Sequence, residues 1–425
     1  MWSAVVRRFR AQGADRVMVS IVVLAAAVRL AYFLSKWNTA LMLNDSIYYS
    51  GQAYQISQGV WFRELFVDQP GAEHGPLTSL LMAPVSGLDN FVRWQRLVTV
   101  VAGIVLVWVV GRLATELGGR RVGYVAAALA AVYPNLWMND GLVMSESIAC
   151  LFVGLALWAG WRASMSARPG LLLWFGAALG LATLSRSESA LLAPLLMLWL
   201  VTVWRRSGRT WRECRPIVWS MAAGVAVLLP WVTFNMVRFE NPVLLTTNDG
   251  TTWLGANCDQ SYHGPAAGGW SLDCVLNDPD YSQDEEPSVR SARQRSMAVE
   301  YVGDHLGDVP RVVAQRLART FDLYGWSNLV AQDVGEERPR WASWAGIATF
   351  WLLAPLAAVG VWRTSRRVRW LLLAPMVVTL VTTVLFYGAH RFRSTAEMSI
   401  VIGAAIALVG WQERRTAQVR RSPSA

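Results

Sequence analysis

Five groups of polar residues sit at the edges of long apolar runs, where a charged side chain is costly and is a functional candidate by default. Asp45 follows the first run, in "LMLNDSIYYSG" (41–51). Glu73 and His74 stand in "AEHGP" (72–76), and Asp140 and Glu146 in "NLWMNDGLVMSES" (135–147). Arg186 and Glu188 lie in "LSRSES" (184–189); His390, Arg391, Arg393 and Glu397 lie in "YGAHRFRSTAE" (387–397). A carboxylate within hydrogen-bond reach of a hydroxyl serves as a general base. A planar guanidinium grips two oxygens at once, so the arginines suit a phosphate or plain ion pairs with Glu146, Glu188 and Glu397. Lys36 is the single lysine, so a phosphate clamp must use arginine, histidine or backbone N–H groups. Taken singly, each of these residues reads as structural. Converging on one face, they read as a site.

The elements that must position them are membrane helices. Of 425 residues, 54% are hydrophobic and 16% charged, against about 25% charged in soluble domains. Apolar runs at 17–35, 97–111, 122–138, 147–161, 171–184, 189–204, 217–233, 342–362, 370–387 and 398–411 each approach the ~17–25 residues of a spanning helix. The fold class is therefore an all-α polytopic membrane protein of about ten spans. The first run holds Arg29 and no small-residue cleavage site follows it, so it reads as an uncleaved anchor.

The net charge of +10 does not indicate nucleic acid, because the basic residues cluster between the runs. Arg7, Arg8 and Arg10; Arg112, Arg120 and Arg121; Arg162 and Arg168; Arg205 to Arg215; Arg363 to Arg369; and Arg414 to Arg421 all fit cytoplasmic loops. Ten alternating helices then put both termini in the cytoplasm and all five polar groups near the outer surface. The division is 1–16 cytoplasmic, 17–233 transmembrane core with first outer loop 36–93, 234–341 extracytoplasmic and of mixed structure, 342–411 transmembrane, and 412–425 cytoplasmic tail.

Within the outer segment, Cys258 and Cys274 in "GANCDQSYHGPAAGGWSLDCV" are expected to form a disulfide. Cys150 and Cys214 carry no motif, and no His/Cys spacing suggests a metal site. "GPLTSLLMAPVSGL" (75–88) is too short to span and reads as interfacial or re-entrant. Residues 44–62 read as an amphipathic helix capped by Asn44 or Asp45, with Ile47, Ala53, Tyr54 and Ile56 toward the bilayer. No Gly-rich phosphate loop supports nucleotide chemistry.

The sequence resembles the GT-C membrane glycosyltransferases, in particular bacterial relatives of the protein O-mannosyltransferases and of the lipid A aminoarabinose transferase. The resemblance rests on "NDSIYY", "EHGP", "YPNLWMNDGLVMSES", "LATLSRSESALLAP", "RFENPVLLTTNDGTTWLGAN" and "HRFRSTAE", in this order over roughly 17–411. It implies a sugar donor on a polyprenyl phosphate, transfer at the outer face of the plasma membrane, and Asp45 as the base or orienter of the acceptor hydroxyl. It further implies phosphate or substrate contacts from His74, Arg186, Arg391, Arg393 and Tyr48. Relatives often carry Asp-Glu in the first loop. Ser46 stands second here, so a second carboxylate must come from Asp140 or Glu73, if any serves. The basic residue of "EHGP" is often lysine in relatives and is His74 here. Glu146 is a further candidate.

One carboxylate and a cationic clamp suffice for direct displacement with inversion, while a retaining double displacement calls for a second carboxylate close by. The lipid carrier supplies the activated sugar, so no nucleotide-sugar site is required. A divalent cation at the donor phosphate is compatible with this chemistry, although no ligand set is legible. Partners are then the lipid-linked donor, membrane lipids, and an acceptor glycan, lipid or protein. Two other readings remain: a flippase for lipid-linked sugars, and a scaffold whose Trp253 and Trp270 stack on a wall polymer. Flippase folds show inverted repeats and broken midplane helices, whereas these polar groups gather at one face.

Overall fold

The structure, a computed structural model, describes residues 15–42, 44–282 and 284–421. Arg7, Arg8, Arg10 and the last four residues of the tail lie outside the described residues. The principal helices are α1 (Arg16–Ser35), α2 (Asp45–Ser57), α3 (Leu77–Met82), α4 (Phe91–Gly118), α5 (Arg120–Val132), α6 (Glu146–Met165), α7 (Pro169–Ser185) and α8 (Leu192–Arg206). They continue with α9 (Ile217–Arg238), α10 (Asp249–Ala256), α11 (Pro287–Asp304), α12 (Val309–Thr320), α13 (Trp326–Gly335), α14 (Arg340–Arg363), α15 (Arg366–Leu385) and α16 (Ser394–Arg421). Shorter helical turns join them.

Eight helical stretches among the described residues are by themselves long and apolar enough to cross a membrane; the runs expected at 122–138 and 171–184 fold as the shorter helices α5 and α7. The two short ones have local causes. α5 stops after 13 residues because Tyr133 precedes Pro134 and takes an extended conformation, as the steric clash before a proline demands. α7 begins at Pro169 and ends at Arg186, also extended, after 17 residues. The last apolar stretch, His390–Thr416, is the centre of the bundle, with 78% of its apolar 18-residue window buried against 11% for Trp211–Arg238 at the periphery.

Small residues let the helices approach closely, as packing within lipid requires. A side chain at Gly176 would meet the Ser220 carbonyl at 1.9 Å, which fixes the crossing of α7 and α9. A side chain at Gly360 would meet the Gly403 carbonyl at 1.9 Å, closing α14 onto α16.

The segment between α9 and α14 is helical among the described residues, a correction to the expected mixed structure. Its helices α10 and α11 are tied by Ser291, whose hydroxyl donates to Asp249 (2.7 Å) and accepts from the Gly250 N–H (3.0 Å). Two acids of the stretch before α11 are held by Arg293, which pairs with Asp278 and Glu285 at 2.7 Å each. Cys258 and Cys274 are joined as a disulfide. α12 docks on the end of α15 through Arg316, which donates to the Val384 carbonyl at 3.0 Å.

The first outer loop also differs from expectation. Leu77, Thr78, Ser79, Met82 and Ala83 are buried, so one face of 75–88, which folds as α3 followed by a 3-10 turn, is covered by protein, while Leu81 and Leu88 stay exposed. α2 packs on it: Ala53 is fully buried in a cluster with Tyr49 and Met82, while Tyr54 stays 44% exposed and stacks on Phe91.

Candidate active site

Seven helix ends meet where the C-termini of α1, α7 and α15 come together with the N-termini of α4, α6, α14 and α16. Asn44 caps α2 by accepting from the Ser46 N–H at 2.7 Å, and its amide donates to the Gly335 carbonyl at 2.8 Å. The cap leaves Asp45 as the first helical residue with its carboxylate free, at the end of the helix dipole that favours an anion. That carboxylate is 30% exposed and accepts from Arg391 Nη2 at 2.8 Å. On its other side His74 Nε2 stands 3.7 Å from Asp45 Oδ1 and 3.9 Å from Glu73 Oε1. Tyr49 stacks on the imidazole with ring centroids 4.9 Å apart.

Arg391 is the hub. Besides Asp45 it holds Glu146 through Nε and Nη2 at 3.2 Å, and Glu336 through Nη1. Glu146, the first residue of α6, is fully buried and also accepts from Arg186 at 2.8 Å. Arg186 places its Nε on Glu188 at 2.5 Å. Arg338 binds Asp333 (3.2 Å), Glu336 and the Asn139 side chain (3.0 Å). His390 bridges Asp322 and Asp333 at 2.9 Å each. A buried charge left without a partner is far costlier than the pair is favourable, which is why every cation here is matched by acid.

Burial pushes the Asp45 carboxyl upward, but Arg391 and His74 outweigh it and hold the group well below the usual carboxylate range. Burial raises Glu73, reinforced by Asp45 and opposed by His74. Burial, then the neighbouring Glu73, lifts Glu64 to about 7.

Of the residues expected at the site, Asp45, His74, Glu73, Glu146, Arg186 and Arg391 are brought together. Three need correction. Asp140 is 2% exposed and paired with Arg29 of α1 at 2.7 Å, so it makes no contact with Asp45 and cannot be the second carboxylate. Arg393 is 1% exposed, bound by Asp322 (2.8 Å) and Glu397 (2.6 Å) and packed on the Phe350 ring, which leaves no face for a phosphate. Tyr48 is buried, and its hydroxyl oxygen accepts from the Glu73 N–H at 2.9 Å, shaping the "EHGP" turn instead of facing a ligand. Among the described residues no three His, Cys, Asp or Glu side chains form a metal-ligand set.

Sequence reasoning missed "GEERPR" (335–340). Glu337 pairs with Arg96 at 2.6 Å, accepts from the Met42 N–H at 3.2 Å, and receives Lys36 on its carbonyl. The signal was available: two acids and two arginines immediately before an apolar run.

The dolichyl-phosphate-mannose-protein mannosyltransferase family profile matches residues 73–234. No curated protein sequence matches the chain. The oligosaccharyltransferase of Archaeoglobus fulgidus in the apo form superimposes with a TM-score of 0.59 at 14% identity, over 98% of this chain and 54% of that one. The same archaeal enzyme, AglB, in complex with an inhibitory peptide and a dolichol-phosphate gives 0.58 at 14% identity, over 96% and 52%. ArnT from Cupriavidus metallidurans bound to undecaprenyl phosphate gives 0.46 at 17% identity, over 92% and 78%. The chain thus spans about half the length of the oligosaccharyltransferase it superimposes on. It is a multi-pass membrane protein with the GT-C fold of the membrane glycosyltransferases.

Proposed function

We propose that the protein transfers a sugar from a polyprenyl-phosphate donor to an acceptor hydroxyl at the outer face of the membrane. The observation that carries this reading is a partly exposed pair, Asp45 with Arg391, at one end of the bundle and backed by Glu146 and Arg186. Asp45 takes the proton of the acceptor hydroxyl as its oxygen bonds to the anomeric carbon. The bond from that carbon to the phosphate oxygen breaks, and the lipid phosphate leaves with its charge facing Arg391. His74, held between Asp45 and Glu73, is the second cationic candidate beside the leaving group.

Charge pattern supports the outer face: the arginine-rich loops lie at the opposite end of the bundle, and the disulfide lies in the segment beside the site. Gathering of the charges at one end, and not at the midplane, favours an enzyme over a flippase. The mechanism proposed is a single displacement with inversion, since Glu73 reaches Asp45 only through His74.

The experiment is transfer from defined polyprenyl-phosphate sugars by the full-length protein in detergent or nanodiscs. Asp45→Asn is expected to abolish transfer and retain donor binding, and the anomeric configuration of the product is expected to invert. Full transfer by Asp45→Asn removes the assignment of the base; retention of configuration removes the single displacement.

A further inference from the structure

At the exposed edge of the ion network, Arg391 has no free place for a donor phosphate. Glu146 and Arg338 are 0% and 1% exposed, and Arg186 is 8% exposed. Glu73 (44%), Asp45 (30%), Glu188 (23%), Arg391 (16%), Glu336 (16%) and His74 (13%) reach the surface. On Arg391 the nitrogens are taken: Nε by Glu146, Nη2 by Asp45 and Glu146, Nη1 by Glu336. A phosphate approaching this guanidinium must displace a carboxylate.

The three candidates are not equal. Glu146 is fully enclosed and shared by Arg186 and Arg391, so moving it requires displacing a buried carboxylate from two cations at once. Asp45 is the proposed base. Glu336 stands just after α13, in the short link to α14, and its carboxylate bridges Arg391 and Arg338. Arg338 keeps Asp333 and Asn139 when Glu336 leaves. Its Nη2 is buried without a hydrogen-bond partner among the described residues, with Glu146 Oε1 3.8 Å away.

We infer that the donor phosphate binds in the cleft between Arg391 and Arg338, and that Glu336 is the internal stand-in it displaces. This rests on the transferase reading above and adds to it a second phosphate ligand, Arg338, and a positioning residue, Glu336. A bridging carboxylate and a phosphate present the same pair of anionic oxygens to two guanidinium groups. Displacement also moves residues 335–338, whose link carries the Asn44 and Glu337 contacts that hold the Asp45 turn. Donor arrival therefore reaches the base through the chain as well as through Arg391.

The test uses the full chain in detergent with two probes, undecaprenyl phosphate and the uncharged polyprenol of equal length, followed by native mass spectrometry. Glu336→Gln is expected to bind the phosphate lipid about tenfold more tightly than wild type, with polyprenol binding unchanged. Glu336→Asp, which keeps the competing charge, is expected to show no such gain. In wild type, the phosphate lipid is expected to speed hydrogen exchange at residues 335–338, a readout that needs no variant to fold. Equal or weaker phosphate-lipid binding by Glu336→Gln, or slower exchange in that link, overturns the inference. Wild type that fails to distinguish the phosphate lipid from the alcohol removes the transferase reading itself, and this inference with it.

Discussion

The two ends of the bundle both concentrate arginine but hold it differently. At the end away from the site, guanidinium groups lie over indoles: Arg205 on Trp211 (4.7 Å), Arg209 on Trp204 (4.9 Å), Arg367 on Trp161 (4.4 Å), Arg369 on Trp362 (4.6 Å) and Arg415 on Trp411 (4.1 Å). At the site end, Arg186, Arg338, Arg391 and Arg393 each touch at least two carboxylates. An indole face holds an exposed guanidinium by about 0.5–1 kcal/mol and imposes little direction. Carboxylates impose direction, and they can be exchanged for another anion. One end seats its arginines on aromatic faces; the other holds them in exchangeable ion pairs.

The sharpest way to break this comparison is at Asp45. Asp45→Asn is expected to cost about 10²–10⁴-fold in transfer rate with unchanged thermal stability, and a smaller loss places Asp45 among the structural pairs. Next is Arg393, whose role is structural despite its place in the same sequence motif. Arg393→Ala removes the buried cation shared by Asp322 and Glu397 and is expected to cost about 3–5 kcal/mol of stability, read as a fall in Tm, with donor affinity of the folded fraction preserved. A selective loss of donor affinity at full stability overturns that division. The opposite end sets the contrast: Arg205→Gln and Arg367→Gln are expected to change stability by about 1 kcal/mol or less and leave transfer intact.

A smaller effect separates charge from burial beside the site. Glu64, lifted to about 7 by burial and then by Glu73, has a folded value above its unfolded one. Ionising it therefore costs stability as pH rises from the ordinary carboxylate range through neutrality. Glu64→Gln is expected to raise Tm relative to wild type at pH 8 and to match it near pH 5. A difference independent of pH assigns the effect to packing.

Much of the site was legible because lipid makes charge conspicuous. Asp45, Glu146, Arg186 and Arg391 stand where apolar runs end, and the alternation of runs alone puts those ends together. The same logic fails in the outer segment, where charge is ordinary. Glu336, Glu337 and Arg338 look like solvated loop residues in sequence, yet Glu337 and Arg338 are buried and Glu336 is largely covered against α1, α4 and α16 elements. Period and composition also cannot separate neighbours such as Arg391 and Arg393. Only the 3-10 turn His390–Arg393 turns one toward Asp45 and the other into the bundle. Helix length was less legible: Pro134 ends α5 at Val132 inside the apolar run expected at 122–138, a signal present in the sequence.

The scarcity of lysine gives the clasp around the first loop a practical use. Lys36 carries the only side-chain amine of the chain, and it is fastened to the Glu337 carbonyl in the same link that bears Glu336. Burial pushes its amine below the ordinary lysine value, though Glu337 opposes the shift. An amine-selective label therefore reports on one lysine, at the joint between the loop that carries the base and the link that the phosphate must move.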